Sequence, residues 1–335
     1  MKDMKRTTFL SFLLVASFGL GYLASGVFPL MNPHDGSSAN TAIPLRANSQ
    51  FVYINPLLMC GWEDGPISPQ MDSIVRKLSD RIGTATSGQS NTGVPAGLYY
   101  RDLTTGKWFG VNEDETFTPG SLLKVPLMVS YLKLAETDPS VLKKTYSFDA
   151  ASDEVHLQNF KPQHPILAGV PYTVAELLKS MVADSDNNAA QLLSSHADDD
   201  LINEIFSMFK YSPPKNVLGQ GYLTPRNFTY FLRVLYNATY LDQSSSEQAL
   251  AIMASSTFAD GLRAGLPQDI KVADKFGERE LGSNNVELHD CGIVYYPDHP
   301  YALCIMTRGT DFDTLEKLIA DLSRDVFDFV NNTRP

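Results

Sequence analysis

Cysteine, basic charge and, over two long intervals, charge of particular kinds are what this chain has little of. It holds only three cysteines in 335 residues, Cys60, Cys291 and Cys304, and its six histidines are scattered. No Cys/His spacing resembles a zinc site, so neither a metal nor any other cofactor is expected. Lysine and arginine total 27 against 38 acidic residues, a net charge of -11. That balance argues against nucleic acid as a partner, which needs a clustered basic surface. No charged residue occurs from Thr7 to Met31, and no Asp or Glu between Glu204 and Asp242.

The first of these gaps reads as a membrane segment. A bilayer is spanned by about 20 apolar residues, and "TTFLSFLLVASFGLGYLASGVFPLM" is long enough. Lys2, Lys5 and Arg6 precede it, which holds residues 1–6 in the cytoplasm and sends the remainder outside. "LASG" is a poor cleavage site and no cysteine follows to make a lipobox. The expectation is therefore a single-pass anchor over 7–31, with secretion after signal cleavage as the alternative. Residues 32–50 are polar and aperiodic and read as a tether. The folded domain is expected over 51–335, as a monomer.

What is present is an ordinary globular composition, 43% hydrophobic, enough to bury a full core. "SPQMDSIVRKLSDRI" reads as an amphipathic helix with Ser68 as its cap, followed by a hairpin turning at Thr-Thr-Gly. From Ser121 to about Ser256 apolar residues recur at helical spacing. Three strand-like runs follow, "IKVADKFG", "NVELHDCGIVYYP" and "PYALCIMTRG", and then a capped amphipathic helix. The fold class is mixed α/β, an α+β sandwich: an antiparallel five-stranded sheet flanked by terminal helices, with an all-helical subdomain inserted between its strands. Cys291 and Cys304 flank a hairpin turning at Pro297 and Asp298. They can face each other across it, and two buried free thiols are the expectation.

Three short motifs carry the chemistry. In "TPGSLLKVPL", Ser121 stands three residues before Lys124 at a helix start, where free N–H groups and the helix dipole favour negative charge. A hydroxyl needs a base and a place for the oxyanion. Lys124 serves as the base only if neutral, through desolvation or a neighbouring cation. The bland reading is a cap and a snorkelling lysine, and the same spacing recurs at Ser130, Ser140, Ser207 and Ser212. The second motif is "SDN" at Ser185 to Asn187, otherwise an interhelix turn. The third is "KFG" at Lys275 to Gly277, otherwise a strand end.

In this order the motifs resemble those of the class A β-lactamases among the penicillin-recognising serine hydrolases, S-x-x-K, S-D-N and K-T-G. The resemblance covers roughly Ser68 to Asn331 and includes the flanks "GVPYTVAELLKSMVADSDNNAAQLL" and "GLRAGLPQDIKVADKFGERELGS". It implies a β-lactamase/transpeptidase-like fold. It also implies Ser121 as acylated nucleophile, Lys124 as proton acceptor, Ser185 as proton relay to the leaving nitrogen, and Lys275 as the charge that sets the site's potential. Asn187 would bind the substrate amide. The backbone N–H groups of Ser121 and Glu278 would form the oxyanion hole, with Phe276, Gly277 and Arg279 beside the substrate.

Two departures stand out. The family's deacylating glutamate has no counterpart, because the interval "MFKYSPPKNVLGQGYL" contains no acid. Phe276 replaces the hydroxyl residue that holds a substrate carboxylate, a loss of about 1.5 to 3 kcal/mol; Arg279 is the candidate replacement. Three readings follow: a hydrolase of β-lactams with altered deacylation, a penicillin-binding-type peptidase or transpeptidase acting on peptidoglycan stem peptides, and a non-catalytic binding module on the same scaffold.

Overall fold

The computed structural model describes residues 51–56, 69–85, 96–208, 221–282 and 285–333. The expected anchor, the tether and the Ser68 cap lie outside the described residues. Among the described residues no helix is long and apolar enough to cross a membrane.

Helix α1 (Pro69–Ala85) buries Ile74, Leu78 and Ile82, one residue per turn. Strands β1 (Ala96–Asp102) and β2 (Trp108–Val111) form the hairpin that follows. A 3₁₀ turn over Gly120–Leu123 leads into α2 (Lys124–Ala135). Between α2 and the next helix the chain is less helical than its apolar pattern suggests. It makes further 3₁₀ turns and a two-residue ladder between β3 (Thr145–Tyr146) and β4 (Tyr172–Thr173).

Helices α3 (Val174–Ala183), α4 (Asn187–Ser194), α5 (Asp199–Met208), α6 (Pro225–Tyr236) and α7 (Gln243–Ala254) complete the helical block. Their boundaries follow side-chain caps. Thr173 and Glu176 form a capping box, Asp186 accepts from the Ala189 N–H, Thr224 from Asn227, and Asp242 from Ser245. Then come β5 (Val272–Glu280), β6 (Val286–Val294), β7 (Tyr301–Gly309) and α8 (Phe312–Asn332), capped by Asp311.

The five long strands form one antiparallel sheet in the order β2-β1-β7-β6-β5. Both its faces are covered, and the period of two along β7 assigns each residue to one. Ala302, Cys304 and Met306 face the helical block; Tyr301, Leu303 and Ile305 face α1 and α8. Strand β5, at the open edge, is where the site forms.

Cys291 and Cys304 are directly opposed on β6 and β7, with Cα atoms 3.9 Å apart, and are disulfide-bonded. The expectation of free thiols is corrected here. Opposed residues on antiparallel strands point to the same face at close range, and register places these two sulfurs against each other. The segment Phe51–Pro56 is likewise tied down, because the Glu247 carboxylate accepts from the N–H groups of Val52, Tyr53 and Ile54 at 2.6, 2.8 and 3.0 Å.

Candidate active site

Two glycines let the Ser121 turn and the sheet edge meet. Gly120 has φ +52°, and a Cβ there would lie 2.5 Å from the Glu278 carbonyl oxygen. A Cβ on Gly277 would lie 2.6 Å from the Pro119 carbonyl oxygen. Only glycine permits this approach. The turn is braced from behind by β6. The Thr118 N–H donates to Glu287 Oε2 at 2.8 Å, and His289 Nε2 donates to the Thr118 carbonyl at 2.9 Å. His289 Nδ1 accepts from the Thr307 N–H at 3.3 Å, so the ring is the neutral Nε2–H tautomer; burial pushes its pKa down. Arg308 Nε donates to Glu287 Oε1 at 2.8 Å. Glu287 and His289 were not among the expected site residues. Their signal was a Glu, a His and an Asp within a strand whose remaining residues are apolar or glycine.

Lys124 stands at the start of α2 with its ammonium end buried. Its Nζ donates to the Ser185 carbonyl at 2.6 Å and to Asn187 Oδ1 at 2.7 Å, and lies 3.3 Å from Ser185 Oγ. Burial, and then the neighbouring Lys275, hold its pKa well below the usual lysine range. A neutral amine has two hydrogens, which those two short bonds employ, and its lone pair is left to take a proton. Lys275 Nζ donates to Ser185 Oγ at 2.9 Å and to the Phe276 carbonyl at 3.0 Å. Burial pushes its pKa down to about 7, against the opposing pull of Asp274, Asp290 and Glu278.

Ser185 is wholly buried, at φ +57°, in the left-handed region. Such a conformation costs on the order of 1 to 3 kcal/mol in a non-glycine residue. It turns the hydroxyl between the two lysines. Asp186, the middle residue of the motif, builds the turn itself: Oδ1 accepts from the Ala189 N–H and Oδ2 from the Ile166 N–H, each at 2.9 Å.

A strap formed by residues 153–160 crosses the site. Asn188 holds its first end, accepting from the Glu154 N–H at 2.7 Å and donating to Asp153 at 2.9 Å. Gln158 Nε2 donates to the Ser185 carbonyl at 2.9 Å, and its Oε1 accepts from the Asn187 N–H at 3.0 Å. At the other end the Glu278 carboxylate accepts from the N–H groups of Asn159 and Phe160, at 3.0 and 3.2 Å. Burial raises the Glu278 pKa, while these bonds and the two lysines draw it back. The sequence pointed to the Glu278 backbone; the role of its side chain as a clasp had no local signal.

A cavity of about 710 Å³ opens beside the turn. Ser121, Lys124, Asn187, Glu278 and Arg279 line it together. Ser185 and Lys275, fully buried, sit behind Lys124 and the strap. Phe276 points into an aromatic cluster, stacked on Phe258 with centroids 4.2 Å apart and edge-on to Phe160 at 5.6 Å. Its ring also covers Lys275 Nζ at 4.1 Å. Gly277 is buried against the Ser121 turn. The arrangement therefore joins a hydroxyl, a lysine whose pKa burial lowers and a second, buried hydroxyl beside an open strand edge, which suits acyl transfer.

Comparison with known proteins agrees with that chemistry. The family described as "Beta-lactamase enzyme family" matches residues 77–330. The chain is 26% identical over 303 residues to β-lactamase 1 of Streptomyces cacaoi, covering 79% of this chain and 91% of that one. Among solved structures it resembles a variant of the reconstructed class A β-lactamase of the last common ancestor of Gram-negative bacteria. That match has a TM-score of 0.64, 25% identity, and covers 78% of this chain and 100% of the other. It shares its fold with a mutant of PBP-A solved as an acyl-enzyme complex with penicillin G, at a TM-score of 0.63 and 21% identity, over 80% of this chain and 99% of that one.

Proposed function

We propose, from the premise that the chain belongs to the β-lactamase enzyme family, that it is a serine hydrolase acylated at Ser121 by a β-lactam or a related cell-wall peptide amide. The observation that carries this reading is Lys124: a buried amine whose pKa burial holds well below the usual lysine range, opening onto the same cavity as Ser121 and hydrogen-bonded into the Ser185 turn.

Lys124 takes the proton of Ser121 as Oγ bonds to the substrate carbonyl carbon. The oxyanion faces the backbone N–H groups of Ser121 and Glu278, a reading supported by the close approach of Gly120 to the Glu278 backbone and of Gly277 to the Pro119 carbonyl. Ser185 then protonates the leaving nitrogen as the C–N bond breaks, and recovers its proton from Lys124, 3.3 Å away. Asn187 and the open edge of β5 orient the substrate amide.

Deacylation is the slow half. The interval from Glu204 to Asp242 supplies no carboxylate to activate a water, and of the carboxylates lining the cavity Glu278 is bound to the strap, Glu154 is engaged by Gln191 Nε2, and Glu280 is exposed at the end of β5. A chromogenic cephalosporin should give a burst of about one equivalent and then slow turnover. The acyl group should map by mass spectrometry to Ser121 and be absent in Ser121→Ala of unchanged melting temperature. Fast turnover without a burst would show that another group activates the water; an adduct on Ser185 would overturn the nucleophile. The missing acid also favours a second reading, a penicillin-binding-type peptidase, which turnover of stem peptides without turnover of β-lactams would establish.

The proposed location is outside the cytoplasmic membrane, held by 7–31. The Cys291–Cys304 bridge supports an oxidising compartment. Recovery of a soluble product beginning near Gly26 would refute the anchor.

A further inference from the structure

We propose that the cavity beside Ser121 selects acyl donors carrying a protonated amine near the scissile amide, and disfavours those whose only charge there is a carboxylate. This rests on the reading of Ser121 as the acylated residue.

Three carboxylates line the cavity, Glu154, Glu278 and Glu280, against one exposed cation, Arg279. Lys124 also lines it, but its Nζ is turned away to the Ser185 carbonyl and Asn187 Oδ1, and burial lowers its pKa. The side from which a lysine would receive a carboxylate is closed. Lys275 is 0% exposed, its Nζ is engaged by Ser185 Oγ and the Phe276 carbonyl, and the Phe276 ring lies over it at 4.1 Å. Phe276 brings no hydroxyl to replace that contact and is turned into the cluster with Phe160 and Phe258.

The carboxylates, in contrast, are built into the walls. Glu154 is placed by its backbone bond to Asn188, and its Oε1 accepts from Gln191 Nε2 at 3.0 Å. Glu278 is clasped to the strap by two N–H groups. Glu280 is exposed two residues further along the same edge strand, and Arg279, the residue between them in sequence, alternates to the strand's other face. An ammonium has three donors and no acceptor, so it can use the acceptor positions these carboxylates still present. A carboxylate entering the same space meets three lining carboxylates against one exposed cation.

The test uses the full chain and two penicillins that differ only in an α-amine on the acyl side chain, aminobenzylpenicillin and benzylpenicillin, with adducts mapped by mass spectrometry. The second-order acylation rate constant should favour the amine by about tenfold at low ionic strength and by less in high salt. Glu154→Gln and Glu280→Gln should each lower that ratio by roughly threefold, whereas Arg279→Gln should not lower it. A wild-type ratio at or below one, with Ser121 labelled by both compounds, overturns the selectivity and leaves the nucleophile standing. A ratio that persists in the Glu154→Gln, Glu280→Gln double variant overturns it as well. No adduct on Ser121 with either compound overturns the acylation reading and this inference with it.

Discussion

Replacing Lys275 by methionine should change how stability depends on pH, in a direction opposite to an ordinary salt-bridged lysine. In the folded protein the Lys275 pKa falls from 10.5 to about 7, chiefly by burial. That fall disfavours the protonated form by about 5 kcal/mol. Between the two values the unfolded chain binds the proton and the folded one does not, so wild-type stability rises with pH by up to about 1.4 kcal/mol per pH unit. Below the folded value the full penalty is present; above 10.5 it is gone. Methionine removes this term at the expense of two hydrogen bonds, to Ser185 Oγ and the Phe276 carbonyl, worth about 1 to 3 kcal/mol each because the donor is charged or polarised. Lys275→Met should therefore show its full relative advantage at and below about pH 7 and lose about 2 kcal/mol against wild type between about pH 7.5 and pH 9. Urea unfolding with the disulfide intact measures both chains. The difference in slope reports on Lys275 together with the smaller change it induces at Lys124, whose pKa its charge lowers. Parallel stability curves would refute the burial argument. A second readout is acylation: without Lys275 the Lys124 pKa rises, and the acylation pH profile should shift upward.

The other expectations concern backbone and bracing. Ser185→Gly should melt higher than Ser185→Ala, by about 1 kcal/mol, because glycine accepts the φ of +57°; both should acylate slowly, and equal melting would mean the turn is unstrained. Gly120→Ala should displace Glu278, whose carbonyl a Cβ would approach to 2.5 Å. Acylation should fall on the order of 100-fold, and unaltered acylation would separate that contact from the oxyanion hole. Glu287→Ala should destabilise by about 3 kcal/mol in chemical denaturation, since it leaves the Thr118 N–H and Arg308 without their buried acceptor; a loss under about 1 kcal/mol would show that solvent replaces it.

The sequence by itself determined the order of elements and marked the candidate reacting groups. Helical spacing marked α2 to α7, and period-two runs marked β5 to β7, because both patterns are local consequences of which face is buried. Ser121, Lys124, Ser185, Asn187 and Lys275 were legible from short motifs in a fixed order, and the missing acid from a simple gap. Tertiary structure alone decided the rest. Whether Lys124 and Lys275 are charged depends on burial by segments distant in the chain, and no window of sequence contains that desolvation. The Cys291–Cys304 bridge depended on strand register, since a slip of one residue would turn one sulfur to the opposite face. Glu278 became a clasp only because the strap, 118 residues earlier in the chain, folds onto the sheet edge and presents two N–H groups that no helix or strand has satisfied.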